Sequence, residues 1–242
     1  MKVRTIYDFL NEVSPFEYQE EWDNSGLNVG DYNQEVKKIY LSLDIDESVI
    51  EKVEDNSLII THHPLIFRGI KRVVPNSFST KFLIKLIRKN VSLIAMHTNF
   101  DKTHLNNYFA TKVLGLSGVA EDFVFYSDVF MSFDELVNLV KDKMNLEKIK
   151  VVKTKDFIEK VAITTGAGMS LLSGIKADCF LTGDIKYHEA MDAKARGISL
   201  IDIGHYDSEK YFTDVLYKAI DGEIGFDVEI IKINSQNPFS LI

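Results

Sequence analysis

One cysteine, Cys179, stands among 242 residues. That excludes a disulfide framework and any zinc site built from thiolates. Positive charge is also scarce: 28 Lys and Arg face 36 Asp and Glu, a net charge of −8. A dedicated nucleic-acid binder needs a surplus of cations to displace counterions from phosphates, so nucleic acid is a disfavoured partner. No apolar run approaches the roughly 20 residues that span a bilayer. The best candidate, residues 91–95, is followed directly by Met96 and His97. The first thirteen residues carry charges every few positions and lack the apolar stretch of a secretory signal. Only four prolines are present, and no Pro-, Gly- or Ser-rich linker. With 45% apolar residues the chain has ample material for a core and is no disordered segment. A cytoplasmic protein without membrane partners is expected.

What is present alternates between two periods. Ile6, Phe9, Leu10 and Val13 recur at helical spacing within residues 3–13. Short strands are predicted over 26–30, 38–43, 58–61 and 91–96, with helices over 47–53, 80–88 and 105–114. A second series begins with strands over 123–131, 148–153 and 160–165. Strands over 179–182, 199–203 and 227–233 follow, with helices over 133–143, 185–195 and 206–218. Ser132 and Glu135 form a capping box, in which two side chains satisfy free N–H groups at a helix start. Strand–helix alternation of this kind predicts an α/β fold with mixed sheets. Ser117-Gly118 and Glu121-Asp122 interrupt the apolar pattern. Two α/β lobes are therefore expected, residues 1–122 and 123–242, with the C-terminal segment able to pack back on the first.

The polar residues collect at strand ends. An apolar strand runs straight into His62-His63, another into His97 and on to Asp101, and a third into His205 and on to Glu209. A fourth leads to Gly183-Asp184. In open α/β sheets the crevice beyond the carboxyl ends of strands is where ligands bind. His205 and Glu209 are four apart at a helix start, so both lie on one helix face. His97 and Asp101 share that spacing. In a regular strand His62 and His63 would face opposite ways, but a turn at a strand end can present both. Imidazoles and carboxylates without thiolate suit Zn, Mn, Fe, Co or Ni. More than four candidate ligands exceed what one tetrahedral ion takes and favour two. Paired ions ~3.5–4 Å apart hold a bridging water and lower its pKa. Each pattern also has a plainer explanation: a hydrogen-bonded strand-end histidine, or an i,i+4 helix pair between His205 and Glu209. The coincidence of three strand ends favours the metal.

Other segments are less specific. Residues 165–170 (TGAGMS) follow a strand but lack the third glycine of a dinucleotide fingerprint and the lysine of a P-loop, so a tight turn is expected. Residues 21–26 (EWDNSG) read as a packed loop with Asx turns. Cys179 reads as a small buried apolar residue. His104 is expected to be exposed, and His188, within Lys186-Tyr187-His188-Glu189, is a substrate-facing candidate.

Taken together, residues 22–27 (WDNSGL), 61–67 (THHPLIF), 97–101 (HTNFD), 182–188 (TGDIKYH) and 204–209 (GHYDSE) resemble the NIF-three-like family, whose members are labelled GTP cyclohydrolase 1 type 2 homologues. The five motifs run in the family's order through nearly the whole chain, and the length matches the short form without an inserted domain. The resemblance implies two α/β lobes with a dinuclear metal site in the cleft between them. By motif match it implies His62, His63, Asp101, His205 and Glu209 as metal ligands, with His97 a further ligand or a supporting group. It also implies a homohexameric ring. The sequence departs from the family pattern at Lys102-Thr103, where a glycine pair is common, and at Thr165 and Met169.

The activity so implied is a metal-dependent hydrolase acting on a nucleotide or similar small polar substrate. Asp184, Lys186, Tyr187 and His188 are candidates for proton transfer or substrate contact. The alternative is a non-enzymatic metal-binding, metal-delivery or regulatory scaffold that uses the same ligands.

Overall fold

Short runs of β-branched and aliphatic residues become strands, several of them buried on both faces, and the 3.6-residue stripes become helices. The structure, a computed structural model, describes residues 1–221 and 228–240. Its strands are β1 (Gly26–Val29), β2 (Lys38–Ser42), β3 (Leu58–Thr61), β4 (Ser92–Ala95), β5 (Val119–Glu121), β6 (Val124–Ser132), β7 (Lys150–Val152), β8 (Phe157–Ile163), β9 (Cys179–Thr182), β10 (Ser199–Asp202) and β11 (Glu229–Lys232). Asp227, the first residue of the last predicted strand, lies outside the described residues.

The described chain forms two compact units. The first comprises Met1–Phe100 together with Phe212–Ile242, and the second is Asp101–Tyr211. The division falls at Phe100/Asp101 and again at Tyr211/Phe212, whereas the break in apolar pattern had pointed to residue 122. That break marks the step from β5 into β6, an antiparallel pair inside the second unit.

In the first unit the strand order is β1-β4-β3-β2-β11. β1 runs antiparallel to β4, while β4, β3, β2 and β11 are mutually parallel. Leu58, Ile59 and Ile60 of β3 are fully buried, because a central parallel strand is covered on both faces and reads as a continuous apolar run. Helix Val3–Val13 buries Val3, Ile6 and Leu10. Helix Phe78–Lys89 starts at Ser77, whose side chain accepts from the Thr80 N–H, and ends at Asn90 in the left-handed conformation.

The second unit orders its strands β5-β6-β8-β9-β10-β7, with β8, β9 and β10 parallel at the centre. Phe125, Phe133, Leu136, Val140, Val161 and Leu181 are among the residues of its main core cluster. Helix Phe133–Met144 begins with the capping box from Ser132 and Glu135. Residues 101–113 are not one regular helix: Asp101–Leu105 and Phe109–Val113 are wide π-type turns flanking a single α turn, Asn106–Tyr108. The helix expected over 206–218 is likewise two, His205–Glu209 and Phe212–Ile220. No helix among the described residues is long and apolar enough to cross a membrane.

Candidate metal centre

In the first unit β3 and β4 are parallel neighbours with Thr61 opposite Ala95, so their carboxyl ends emerge side by side. His62 and His63 follow β3. Their backbone N–H groups both donate to the Leu43 carbonyl, at 3.2 Å each. This shared acceptor turns the chain out of strand geometry, and the two rings come to lie 4.9 Å apart, centroid to centroid. His97, after β4, joins them with ring centroids 5.2 Å from His62 and 5.3 Å from His63. One ligating nitrogen from each of the three rings lies within 4.8 Å of the others.

What fixes these rings is as informative as their proximity. His62 is fully buried and its Nδ1 bonds the Met96 carbonyl at 2.8 Å. His63 Nδ1 bonds Asp44 Oδ1 at 2.8 Å. His97 Nδ1 bonds Asp23 Oδ1 at 2.7 Å. A carbonyl or carboxylate oxygen only accepts, so Nδ1 carries a proton in all three, and each ring in its neutral form presents its lone pair at Nε2. Metal-binding histidines are typically held this way, by an oxygen on the other ring nitrogen. Burial by itself pushes the Asp23 carboxyl up. Hydrogen bonds from the His97 ring and the Thr98 hydroxyl outweigh burial and hold it well below the usual carboxylate range.

The second unit repeats the arrangement with different residues. β8, β9 and β10 are parallel neighbours and end at Thr164-Thr165-Gly166, Gly183-Asp184 and Ile203-Gly204-His205. His205 opens a short helix, and its Nδ1 bonds Asp184 Oδ2 at 2.7 Å. Asp184 has φ +55, a left-handed conformation that non-glycine residues seldom adopt. His205 Nε2 lies 3.0 Å from Glu209 Oε2, one helical turn on. The Glu209 side chain is buried. It rests on Gly166, where a β-carbon would stand 2.0 Å from Glu209 Oε1. Gly166 has φ +63, donates its N–H to Ser208 Oγ at 3.0 Å and accepts from the Gly183 N–H at 2.7 Å. Asp101 is also buried, 3.4 Å from the Thr165 hydroxyl.

The structure therefore groups His62, His63 and His97 in one unit, and His205, Glu209 and Asp184 in the other. Asp184 serves there as the oxygen partner of His205. Lys186, Tyr187 and His188 are exposed at the start of helix Tyr187–Ala195, where the Lys186 N–H donates to Glu189. His104 is half-buried, not exposed, and burial lowers its pKa. Cys179 is fully buried, and desolvation pushes its thiol up. Asp23, Asp44 and Gly166 are the residues that sequence reasoning passed over. Asp44 did carry the same signal as the histidines, a carboxylate just beyond a parallel strand. All donors are nitrogen or oxygen, which fits borderline divalent ions.

An α/β protein of two mixed sheets, with histidines and carboxylates at the ends of parallel strands, is thus a candidate metal-binding protein. The chain belongs to the Duf34/NIF3 (NGG1p interacting factor 3) family, which it matches over residues 1–238. It is 47% identical over 241 residues to a protein of Campylobacter jejuni named GTP cyclohydrolase 1 type 2 homolog, covering 99% of each chain. It is 41% identical to the Helicobacter pylori protein named GTP cyclohydrolase 1 type 2, again over 99% of each. Among solved structures, a hypothetical protein of Staphylococcus aureus superposes with a TM-score of 0.86 at 26% identity, covering 100% of this chain and 99% of that one. Reduced HcgD from Methanocaldococcus jannaschii gives a TM-score of 0.79 at 28% identity, covering 96% and 97%.

Proposed function

We propose that this protein is a divalent-metal-dependent hydrolase of a nucleotide or a similar small polar molecule, with two ions per chain. His62, His63, Asp101, His205 and Glu209 hold the ions, and His97 is a further ligand or a support for them. The observation that carries this reading is the shared fixing of four rings: each of His62, His63, His97 and His205 has its Nδ1 on an oxygen. Histidines kept only for packing would not need one tautomer in common.

When bound, divalent ions supply Lewis acidity and an activated water. The chain's own part is to hold its donors rigid, through Asp44, Asp23 and Asp184, and to exclude water with buried His62 and Glu209. Asp184, Lys186, Tyr187 and His188 are proposed to contact substrate or move protons, with Asp184 doing so while it orients His205. The H. pylori relative's name supports GTP as the first substrate to try. A homohexameric ring is part of the same proposal, read out as six chains by light scattering.

The test is metal content of anaerobically purified protein beside His205→Ala and Glu209→Ala variants, with chromatography of GTP incubations. About two ions per wild-type chain, lost in the variants, and release of formate are expected. Wild-type protein without metal in every preparation would sink the reading. Metal without turnover, but with fast transfer to an apo-acceptor, would instead favour a metal-delivery scaffold built on the same ligands.

A further inference from the structure

Two large aromatic side chains stand in solvent beside His97. Trp22 is 56% exposed and Phe67 is 44% exposed. Their ring centroids are 5.6 Å apart with the planes tilted by 52°, and the Trp22 ring meets His97 edge-on at 6.0 Å. Apolar rings of this size normally go to the core, where each contributes a large buried area. Here hydrogen bonds hold them out. Asp23, the residue after Trp22, is bonded to His97. Asn24 donates its side-chain N–H to the carbonyl of Ile66, the residue before Phe67, at 2.6 Å. Asn28 then ties the two loops again, donating to the Asn24 carbonyl at 2.9 Å and accepting from the Ile66 N–H at 3.4 Å. The bonds that orient a candidate metal ligand thus also set the spacing of the aromatic pair.

The chain beyond Phe67 adds charge. Arg68, Lys71 and Arg72 are all exposed and form no ion pair among the described residues. In a protein of net charge −8, three such cations within five residues are a local reversal of sign.

We propose that the Trp22 indole, flanked by the tilted Phe67 ring, forms a stacking platform for the base of a nucleoside phosphate, and that Arg68, Lys71 and Arg72 meet its phosphates. This deepens the functional reading above and rests on it, since it names the substrate class of the same site. A bicyclic base laid on the indole, at the ordinary contact distance of ~3.5 Å, would sit within reach of the His97 ring. Stacking is tolerant of base identity, so the platform selects for an aromatic base and the cations for its charge.

Trp22 is the chain's one tryptophan, so its emission reports this place alone. Wild-type protein is titrated with GTP, guanosine and tripolyphosphate while Trp22 fluorescence is followed, and metal is measured on the same samples. Saturable quenching by GTP is expected, with guanosine quenching at higher concentration. Tripolyphosphate should not quench, but should shift the GTP curve. By calorimetry, Trp22→Ala and Phe67→Ala should each weaken GTP binding about tenfold or more while metal content stays at the wild-type level. Arg68→Ala, Lys71→Ala and Arg72→Ala combined should reduce the preference for GTP over guanosine and flatten its salt dependence.

No saturable quenching at millimolar GTP would overturn the proposal, even with two ions bound. Emission that shifts on dilution and ignores GTP would also overturn it, by showing that a second copy covers the platform. Metal-free protein that GTP still quenches would leave the platform standing and remove the metal reading.

Discussion

Asp23 and Asp44 are not candidate ligands, yet they decide which nitrogen of His97 and His63 carries the lone pair. An asparagine in either place can present an N–H instead of an oxygen and no longer enforces that tautomer. Asp23→Asn and Asp44→Asn should each lower metal affinity by about 10–100-fold with the fold retained. A competitive chelator titration, with circular dichroism as the fold control, measures this. Unchanged affinity in both variants would mean that Nδ1 fixing does not serve metal binding. The histidines themselves were legible because three of their sites follow apolar strands. Asp23 was not, since within residues 21–26 it looks like any Asx turn. Its partner is 74 residues away. Short-range pattern carries no trace of such a pairing.

Elements were legible where one period dominates. Residues 3–13, 58–61 and 179–182 form the predicted elements because a single apolar stripe or a fully buried run leaves no alternative. The pattern over 206–218 hid a break, because apolar spacing continues through Lys210-Tyr211 while the backbone does not. The helix expected over 105–114 is broken for another reason: wide turns at Asp101–Leu105 and Phe109–Val113 change which residues stack, and turns of this kind gather at functional sites. Helix Glu47–Lys52 offers a prediction at this scale. Its cap, Asp46, accepts from the Ser48 hydroxyl at 2.7 Å, the Val49 N–H at 2.8 Å and the Gln236 N–H at 3.1 Å. Burial alone would raise the Asp46 pKa, but these hydrogen bonds outweigh it and hold it below the ordinary value. A carboxyl lowered by folding stabilises above its unfolded pKa of about 4, and the effect is lost as pH falls through the folded value. Asp46→Ala should therefore cost about 1 kcal/mol at pH 7, and the difference should shrink in acid. Thermal melts at pH 7 and pH 3 measure it. An equal gap at both would mean that the carboxylate is not the source.

At the level of the whole chain, the first unit is discontinuous in sequence. Composition cannot reveal this, because one passage joins two helical turns at Phe100/Asp101 and the other is the two-residue turn Lys210-Tyr211, neither with the composition of a linker. The return has a measurable consequence. β11 pairs with β2 from Glu229↔Lys38 to Lys232↔Leu41, so the C-terminal strand completes the first unit's sheet edge. A chain stopped after Asp221 should expose β2 along its full length. An uncovered edge strand invites pairing with another chain. The truncated protein should melt at lower temperature and self-associate on gel filtration. Behaviour identical to the full chain would show that β11 adds nothing to the sheet.

The Glu209 carboxylate rests on bare peptide at Gly166, with no room between them. In hereditary terms this constrains codon 166. Every missense change adds at least a β-carbon, and even alanine, the smallest, would collide with the carboxylate oxygen while straining a left-handed backbone. A saturation library at this codon should be depleted of missense members relative to synonymous ones.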